Sequence, residues 1–238
     1  MGLFDFLTKK TPQSAVQKYA ARVSDKRGMA PDRWEAIQAL SKIDSEEAVS
    51  ALLVRFTFYV DPTITDQEEK DGVFSMIVGK GELAVGPVLR FARKAESLAW
   101  PLKMLDRLLP ADKFMETALD LLSEMDTEYE RDPQRKLQLL GELEARRAPG
   151  IVATVLPFLD DVHEPARFHA ASAVLAQEER EQAREALASL LAKEESMRIK
   201  ARILQGFAEY GWSVPAEAQL RLPDGFRIGP DGVPQSRK

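Results

Sequence analysis

The side chains best suited to acid–base or metal chemistry are few in this sequence. Its 238 residues hold two histidines, His163 and His169, and no cysteine. A zinc-binding HExxH helix needs its histidines four apart on one face. These two are six apart, and the intervening His163-Glu164-Pro165-Ala166-Arg167 places a helix start between them. His163 therefore reads as a capping residue in a turn. Without cysteine there is no thiolate nucleophile, disulfide or thiolate metal site, a composition that fits a reducing cytoplasm. No GxxxxGK[ST] or GxSxG occurs, Gly79-Lys80-Gly81 reads as a helix–helix connection, and no serine has an evident activating base. The sequence assigns no catalytic, cofactor-binding or metal-binding residue, and the expectation is a protein that is not an enzyme.

Charged side chains are abundant, with 33 Lys and Arg against 38 Asp and Glu for a net charge of −5. Asp112, Glu116, Asp120 and Glu124 step by four and form an acidic stripe on one helix, continued by Asp126, Glu128, Glu130 and Asp132. Like charges at that spacing cost a few tenths of a kcal/mol each, so the stripe is either a solvated outer face or a docking strip for a basic partner or loose cation. The opposite bias appears where Lys9, Lys10, Lys18, Arg22, Lys26 and Arg27 face only Asp25. Aromatic residues for base stacking are missing there, and the acidic balance of the whole argues against nucleic acid. Leu3, Phe4 and Leu7 share a helical face ahead of Lys9 and Lys10. They either close the end of the first structural unit or make a weak membrane contact. No apolar run reaches the length of a membrane span.

The elements that carry these residues repeat. Between about Ser14 and Gly211 the apolar periodicity predicts helices of 11 to 16 residues with short connections. Ser14, Ser45 and Ser97 stand as N-caps, Thr65-Asp66-Gln67-Glu68 has capping-box spacing, and Asp132-Pro133 offers a cap followed by proline. Phe56-Thr57-Phe58-Tyr59-Val60, the one β-like run, is read as a helix end before Asp61-Pro62. One kind of helix has apolar residues at relative positions 0, +4, +5 and +8, starting at Ala15, Ala48, Ala84, Phe114, Ile151 and Ala183, at intervals of 30 to 37 residues. The second kind carries apolar triplets starting at Ala36, Val73, Met104, Leu139, Ala170 and Ile203, at intervals of 31 to 37. Two registers with one period near 34 mean helix pairs that cannot cover their apolar faces alone and must stack.

Gly81-Glu82-Leu83-Ala84-Val85-Gly86-Pro87-Val88-Leu89 on a first helix and Glu164-Pro165-Ala166-Arg167-Phe168-His169-Ala170-Ala171-Ser172-Ala173-Val174-Leu175 on a second resemble the HEAT-repeat family, particularly its short bacterial form. The resemblance spans about residues 13–211. It implies an all-α, right-handed α-solenoid of about six antiparallel helix pairs, after an apolar and basic appendage (1–12) and before an irregular Pro/Gly-rich extended tail (212–238). Pro-Asp-Gly at 223–225 and at 230–232 reads as two turns in that tail.

Three residues before each second-helix triplet stands a cation, Arg33, Lys70, Lys136, Arg167 or Lys200, with Pro101 the exception. Four residues earlier come Asp66, Ser97, Asp132 and Ser196, with Met29 and His163 departing. Read bare, this row could be a phosphate-binding stripe. The resemblance makes it an internal polar ladder in which turn acids such as Asp66 and Asp132 pair with the cations and set repeat register.

HEAT resemblance also puts the second helices on the concave side. The rows opposite their apolar stripe are Glu35, Gly72, Lys103, Gln138, His169 and Arg202, then Gln38, Ser75, Asp106, Gly141, Ser172 and Gln205. Trp34 and Phe168, at equivalent positions beside them, either anchor a partner or pack on a neighbouring repeat. The expected function is a cytoplasmic scaffold or adaptor presenting Trp34, Glu35, Gln38, Lys103, Gln138, Phe168, His169, Arg202 and Gln205 to a protein or peptide, with no cofactor. The other readings are an enzyme on a HEAT-like frame, resembling bilin lyases or DNA glycosylases, and peripheral membrane recruitment through the N-terminal segment.

Overall fold

Apolar spacing decides which segments become helix. In the computed structural model, which describes residues 12–214 and 221–236, the two kinds of apolar segment form alternating helices. The first kind are α1 (Pro12–Val23), α3 (Glu46–Leu53), α5 (Glu82–Lys94), α7 (Ala111–Ser123), α9 (Ile151–Val155) and α11 (Arg184–Lys193). The second kind are α2 (Ala30–Ser41), α4 (Thr63–Val78), α6 (Ala99–Leu108), α8 (Gln134–Glu144), α10 (Glu164–Leu175) and α12 (Met197–Tyr210). The described chain is mostly helical, and none of its helices is long and apolar enough to cross a membrane.

By internal packing the chain divides into two units, Met1–Phe114 and Met115–Lys238, with the boundary inside α7. In the first unit α1 packs on α2 and α3, α3 on α5, α2 on α4, and α4 on α6. In the second, α8 packs on α10 and α10 on α12, while α11 lies against the turn after α9. The triplets supply these contacts: Ala36, Ile37 and Leu40 are fully buried, as are Leu139, Leu140 and Leu143, and Ile203, Leu204 and Phe207. Removing such side chains from water is the main force holding each helix to the next, at ~1.5–3 kcal/mol per large residue.

Several local expectations are corrected. Helices α3, α6, α9 and α11 have 8, 10, 5 and 10 residues, below the expected 11. After α3 and α9 the chain tightens into 3₁₀ turns, Val54–Thr57 and Leu156–Asp160. Pro157 in the second of these has no N–H to continue an α-helix. The Phe56–Val60 run is a helix end: it leaves the first 3₁₀ turn with Phe58 extended. Thr65 does not cap. Helix α4 already begins at Thr63 after Pro62, and Asp66 is buried in its first turn. Ser45 and Ser196 do cap, accepting from the Ala48 and Ile199 amides at 3.2 and 3.5 Å, and Ser97 Oγ accepts from the Ala99 amide. The Ser14 side chain, like Leu3, Phe4 and Leu7, lies outside the described residues.

The C-terminal segment is not simply extended. Gly211 ends α12 at φ 68°, a left-handed cap that glycine adopts without a Cβ clash. Phe226–Ile228 and Pro234–Ser236 then pair as antiparallel strands β1 and β2, and β2 packs on α12. The two Pro-Asp-Gly turns fall where the sequence places them, with Gly225 and Gly232 at φ 87° and 79°. The Val214 amide donates to the Gly232 carbonyl at 2.9 Å, fastening this hairpin beside the buried Trp212.

Close approach of α12 to α10 depends on Gly206. A Cβ there would lie 2.5 Å from Leu175 Cδ2 and 2.9 Å from Cδ1, and Leu175 is fully buried, so its side chain would have to shift within the core. Gly206→Ala is expected to destabilise the second unit by about 1–3 kcal/mol, despite alanine's better helix propensity. Urea unfolding followed by circular dichroism checks this. A neutral or stabilising result would mean that the helices separate freely there.

Candidate functional site

The cations at ladder positions point inward, and the structure shows what they meet. In the first unit Arg33 of α2 donates from Nε and Nη2 to the two oxygens of Glu69, both at 2.8 Å. Arg55, in the 3₁₀ turn after α3, donates from Nε to Glu69 Oε2 at 2.6 Å and from Nη2 to Asp66 Oδ1 at 2.7 Å. Lys70 donates to Asp66 Oδ2 at 2.7 Å and lies 3.8 Å from the centre of the Tyr59 ring. All five charged groups are buried, three cations against two carboxylates, and they join α2, the end of α3 and α4. Burial alone would push both carboxyls up. The hydrogen bonds from Lys70, Arg55 and the Val60 amide reverse this for Asp66, and those from Arg33 and Arg55 do so for Glu69, so both sit below the usual carboxylate range.

The second unit has a different arrangement, in which Lys136 and Arg167 reach forward to the turn before the next second helix. Lys136 of α8 donates to Asp161 Oδ2 at 2.8 Å and meets Glu130 at 3.0 Å. Arg167 of α10 donates to the Asp161 carbonyl at 2.9 Å, and from Nε and Nη2 to Glu194 at 2.7 and 3.0 Å. The two acids also hold their own turns, Asp161 accepting from the His163 amide and Glu194 from the Ser196 amide. Burial opposes the charged form of Lys136, but Asp161 and Glu130 raise it above the ordinary lysine range. Glu194 is likewise held low: burial opposes its charge, and Arg167 with the Ser196 amide overcomes that.

Three ladder expectations change. Asp132 is exposed and accepts from the Gln134 amide at 3.1 Å, so it shapes the start of α8 while Asp161 and Glu130 serve Lys136. Arg33, whose upstream position holds Met29, takes its acid from α4. Lys200 is buried, and among the described residues its ammonium meets the Arg221 carbonyl at 3.5 Å. Sequence reasoning missed Arg55, Glu69, Asp161 and Glu194, and placed Glu130 in the acidic stripe and not beside Lys136. A charge inside the apolar run Leu52-Leu53-Val54-Arg55-Phe56 was the available signal for Arg55. Asp161 and Glu194 each stand two residues before a second-helix N-cap, His163 and Ser196.

The opposite face of the second helices carries the residues expected to meet a partner. In the first unit Glu35, Gln38 and Lys103 are exposed. Glu35 is paired with Arg22 at 2.9 Å, and Lys103 lies 5.0 Å from the Trp100 ring. Trp34 is half-buried over Gly72, where a Cβ would stand 2.5 Å from Cη2, so its ring packs on the neighbouring second helix. In the second unit Gln138, Phe168, His169 and Arg202 are half-buried and Gln205 is exposed. Phe168 has the Arg198 guanidinium 4.1 Å from its ring centre, again a contact with the next second helix. Ser172, expected in the exposed row, is buried, and its hydroxyl accepts from Arg202 Nε at 3.2 Å.

His169 Nδ1 lies 2.7 Å from Glu144 Oε2, the one imidazole–carboxylate contact among the described residues. The contact fixes the imidazole on a half-buried surface, where its other ring nitrogen can hydrogen-bond to a docked group. The Ser172 hydroxyl, on the same helix, is buried and occupied by Arg202. His163 occupies the N-cap of α10, but its side chain does not cap: Nε2 accepts from the Glu130 amide at 3.3 Å, and the ring lies 5.6 Å from that of Tyr129. Asp112, Glu116, Asp120 and Glu124 are all exposed on or just after α7.

Comparison with known proteins gives no family model that matches the chain, and no curated protein and no solved structure that matches it.

Proposed function

We propose that this protein is a non-enzymatic interaction scaffold of the cytoplasm, built from HEAT-like helix pairs stacked as a right-handed α-solenoid, whose second helices present a face to a protein or peptide partner. The observation that carries the reading is the division of labour on those helices. Their inner sides are committed to apolar triplets and buried ion pairs, while Gln38, Lys103 and Gln205 are exposed on the opposite sides, with Glu35, His169 and Arg202 beside them held by Arg22, Glu144 and the Ser172 hydroxyl. Packing of α2 on α4 on α6, and of α8 on α10 on α12, supports the stacked arrangement within each unit. Mixed charge along these faces suits a polypeptide better than a phosphate backbone.

Site-specific photocrosslinking in the native cell tests this. A photoreactive residue at Gln38 or Gln205 is expected to trap one adduct of defined mass, while the same residue at Ser50 or Glu185, exposed on first helices, traps none. Adducts of equal yield from both kinds of helix, or none from any position, would overturn the proposal.

A further inference from the structure

Seven large apolar side chains are exposed among the described residues. Six of them, Met29, Tyr59, Ile64, Tyr129, Val162 and Met197, lie in the turn leading into a second helix or in its first turn. Scattered apolar surface is ordinary, but surface concentrated at one structural position marks a contact site.

In the second unit three such turns are joined edge to edge. The Val162 amide donates to the Thr127 carbonyl at 3.2 Å, and Tyr129 lies against the His163 ring. Glu164 accepts from Ser196 Oγ at 2.8 Å and from Arg198 at 3.0 Å. Tyr129, Val162 and Met197, at 77, 52 and 37% exposure, thus follow one another along a single edge. At its first turn the edge meets a cleft of about 500 Å³ walled by Met125, Ala153, Pro157 and Phe158 and shared with Asp126 and Thr127.

The charge around this edge identifies what covers it. Residues 124–132 hold five acids, Glu124, Asp126, Glu128, Glu130 and Asp132, against Arg131 alone. Asp126, Glu128 and Glu195 are exposed, while the nearby cations Lys136, Arg167, Lys193 and Arg198 are each engaged by an acid. Packed helices stand 8–10 Å apart, and three residues of an extended chain in the polyproline-II conformation cover about 9 Å and bring the same side round again, so such a segment meets a new turn with every third side chain.

We propose that this edge binds an extended, basic segment of a partner protein. An apolar side chain at every third position seats in the Phe158 cleft and against Tyr129, Val162 and Met197, with Lys or Arg between them facing Asp126, Glu128 and Glu195. The surface is the turn end of the second helices, separate from the faces named above, and its failure would leave the scaffold reading standing.

Fluorescence anisotropy with the full chain and a labelled peptide of Leu-Lys-Arg repeats tests it. Saturable binding that weakens with salt is expected. Tyr129→Ser/Val162→Ser/Met197→Ser, folded by circular dichroism, should weaken it at least about tenfold, and Glu128→Lys/Glu195→Lys should weaken it and flatten the salt dependence. Absence of binding, full affinity in the triple variant, or equal affinity for a peptide with Ser in place of Leu would overturn the proposal. Sedimentation showing a dimer that the triple variant dissolves would also overturn it, by giving the edge to a second copy of the chain.

Discussion

Glu69→Ala is expected to cost the first unit about 3–5 kcal/mol, because it strands two buried guanidinium groups at once. Arg33 spends Nε and Nη2 on Glu69, and Arg55 spends Nε, so the variant leaves three donors without their acceptor at a buried site. The cluster already has one cation in excess, and losing Glu69 leaves three cations around Asp66. Arg55→Met acts in the opposite sense, balancing the remaining charges at two against two and replacing the guanidinium with an apolar chain of similar reach. It should therefore cost clearly less than Glu69→Ala, although both remove one partner of the same ion pair. Equal losses from the two variants in urea unfolding would mean that packing, not charge, dominates the site.

Acid adds a second test. Asp66 and Glu69 have folded-state pKa values below the unfolded ones, so their contribution is fully present above the unfolded carboxylate range near pH 4. It fades as pH falls through the lower folded values, and wild type and Glu69→Ala should converge there.

The sequence made the helices legible because each apolar triplet recurs with its own phase, and burial of those positions needs no long-range information. Ala170, Ala171 and Val174 are fully buried where the 3.6-residue repeat puts them. Cations one turn before the triplets were legible for the same reason, since phase alone points Lys136 and Arg167 inward. Their partners were not. Glu69 lies 36 residues from Arg33, and Asp161 lies 25 from Lys136. A nearby acid such as Asp132 is the natural sequence guess, yet its short side chain is taken by the Gln134 amide. Backbone demand at a helix start here outcompetes a cation four residues on. Trp34 was legible as an aromatic beside the exposed rows. That it would rest on Gly72 depended on the spacing of two helices, which one register cannot supply.

The ladder of the second unit yields the sharpest prediction, because a second substitution should repair the first. Asp161 is fully buried at its side chain and holds Lys136 through Oδ2 and the His163 amide through Oδ1, so it fastens α8 to the start of α10. Asp161→Ala leaves the Lys136 ammonium, itself 1% exposed, with Glu130 as its remaining acid at 3.0 Å. A loss of about 3 kcal/mol is expected, at the lower end for a broken buried pair because Glu130 persists. Adding Lys136→Met removes the stranded charge and replaces it with an apolar chain of similar reach, so the double variant should recover about 1–2 kcal/mol. Alkali should remove the cation's contribution in wild type. Lys136 is held above the ordinary lysine range, so its stabilisation is complete below the unfolded value near pH 10 and is lost as pH rises through the folded one. A double variant as unstable as the sum of its single changes would show that Lys136 and Asp161 act separately, and that α8 and α10 are held in register by their apolar triplets alone.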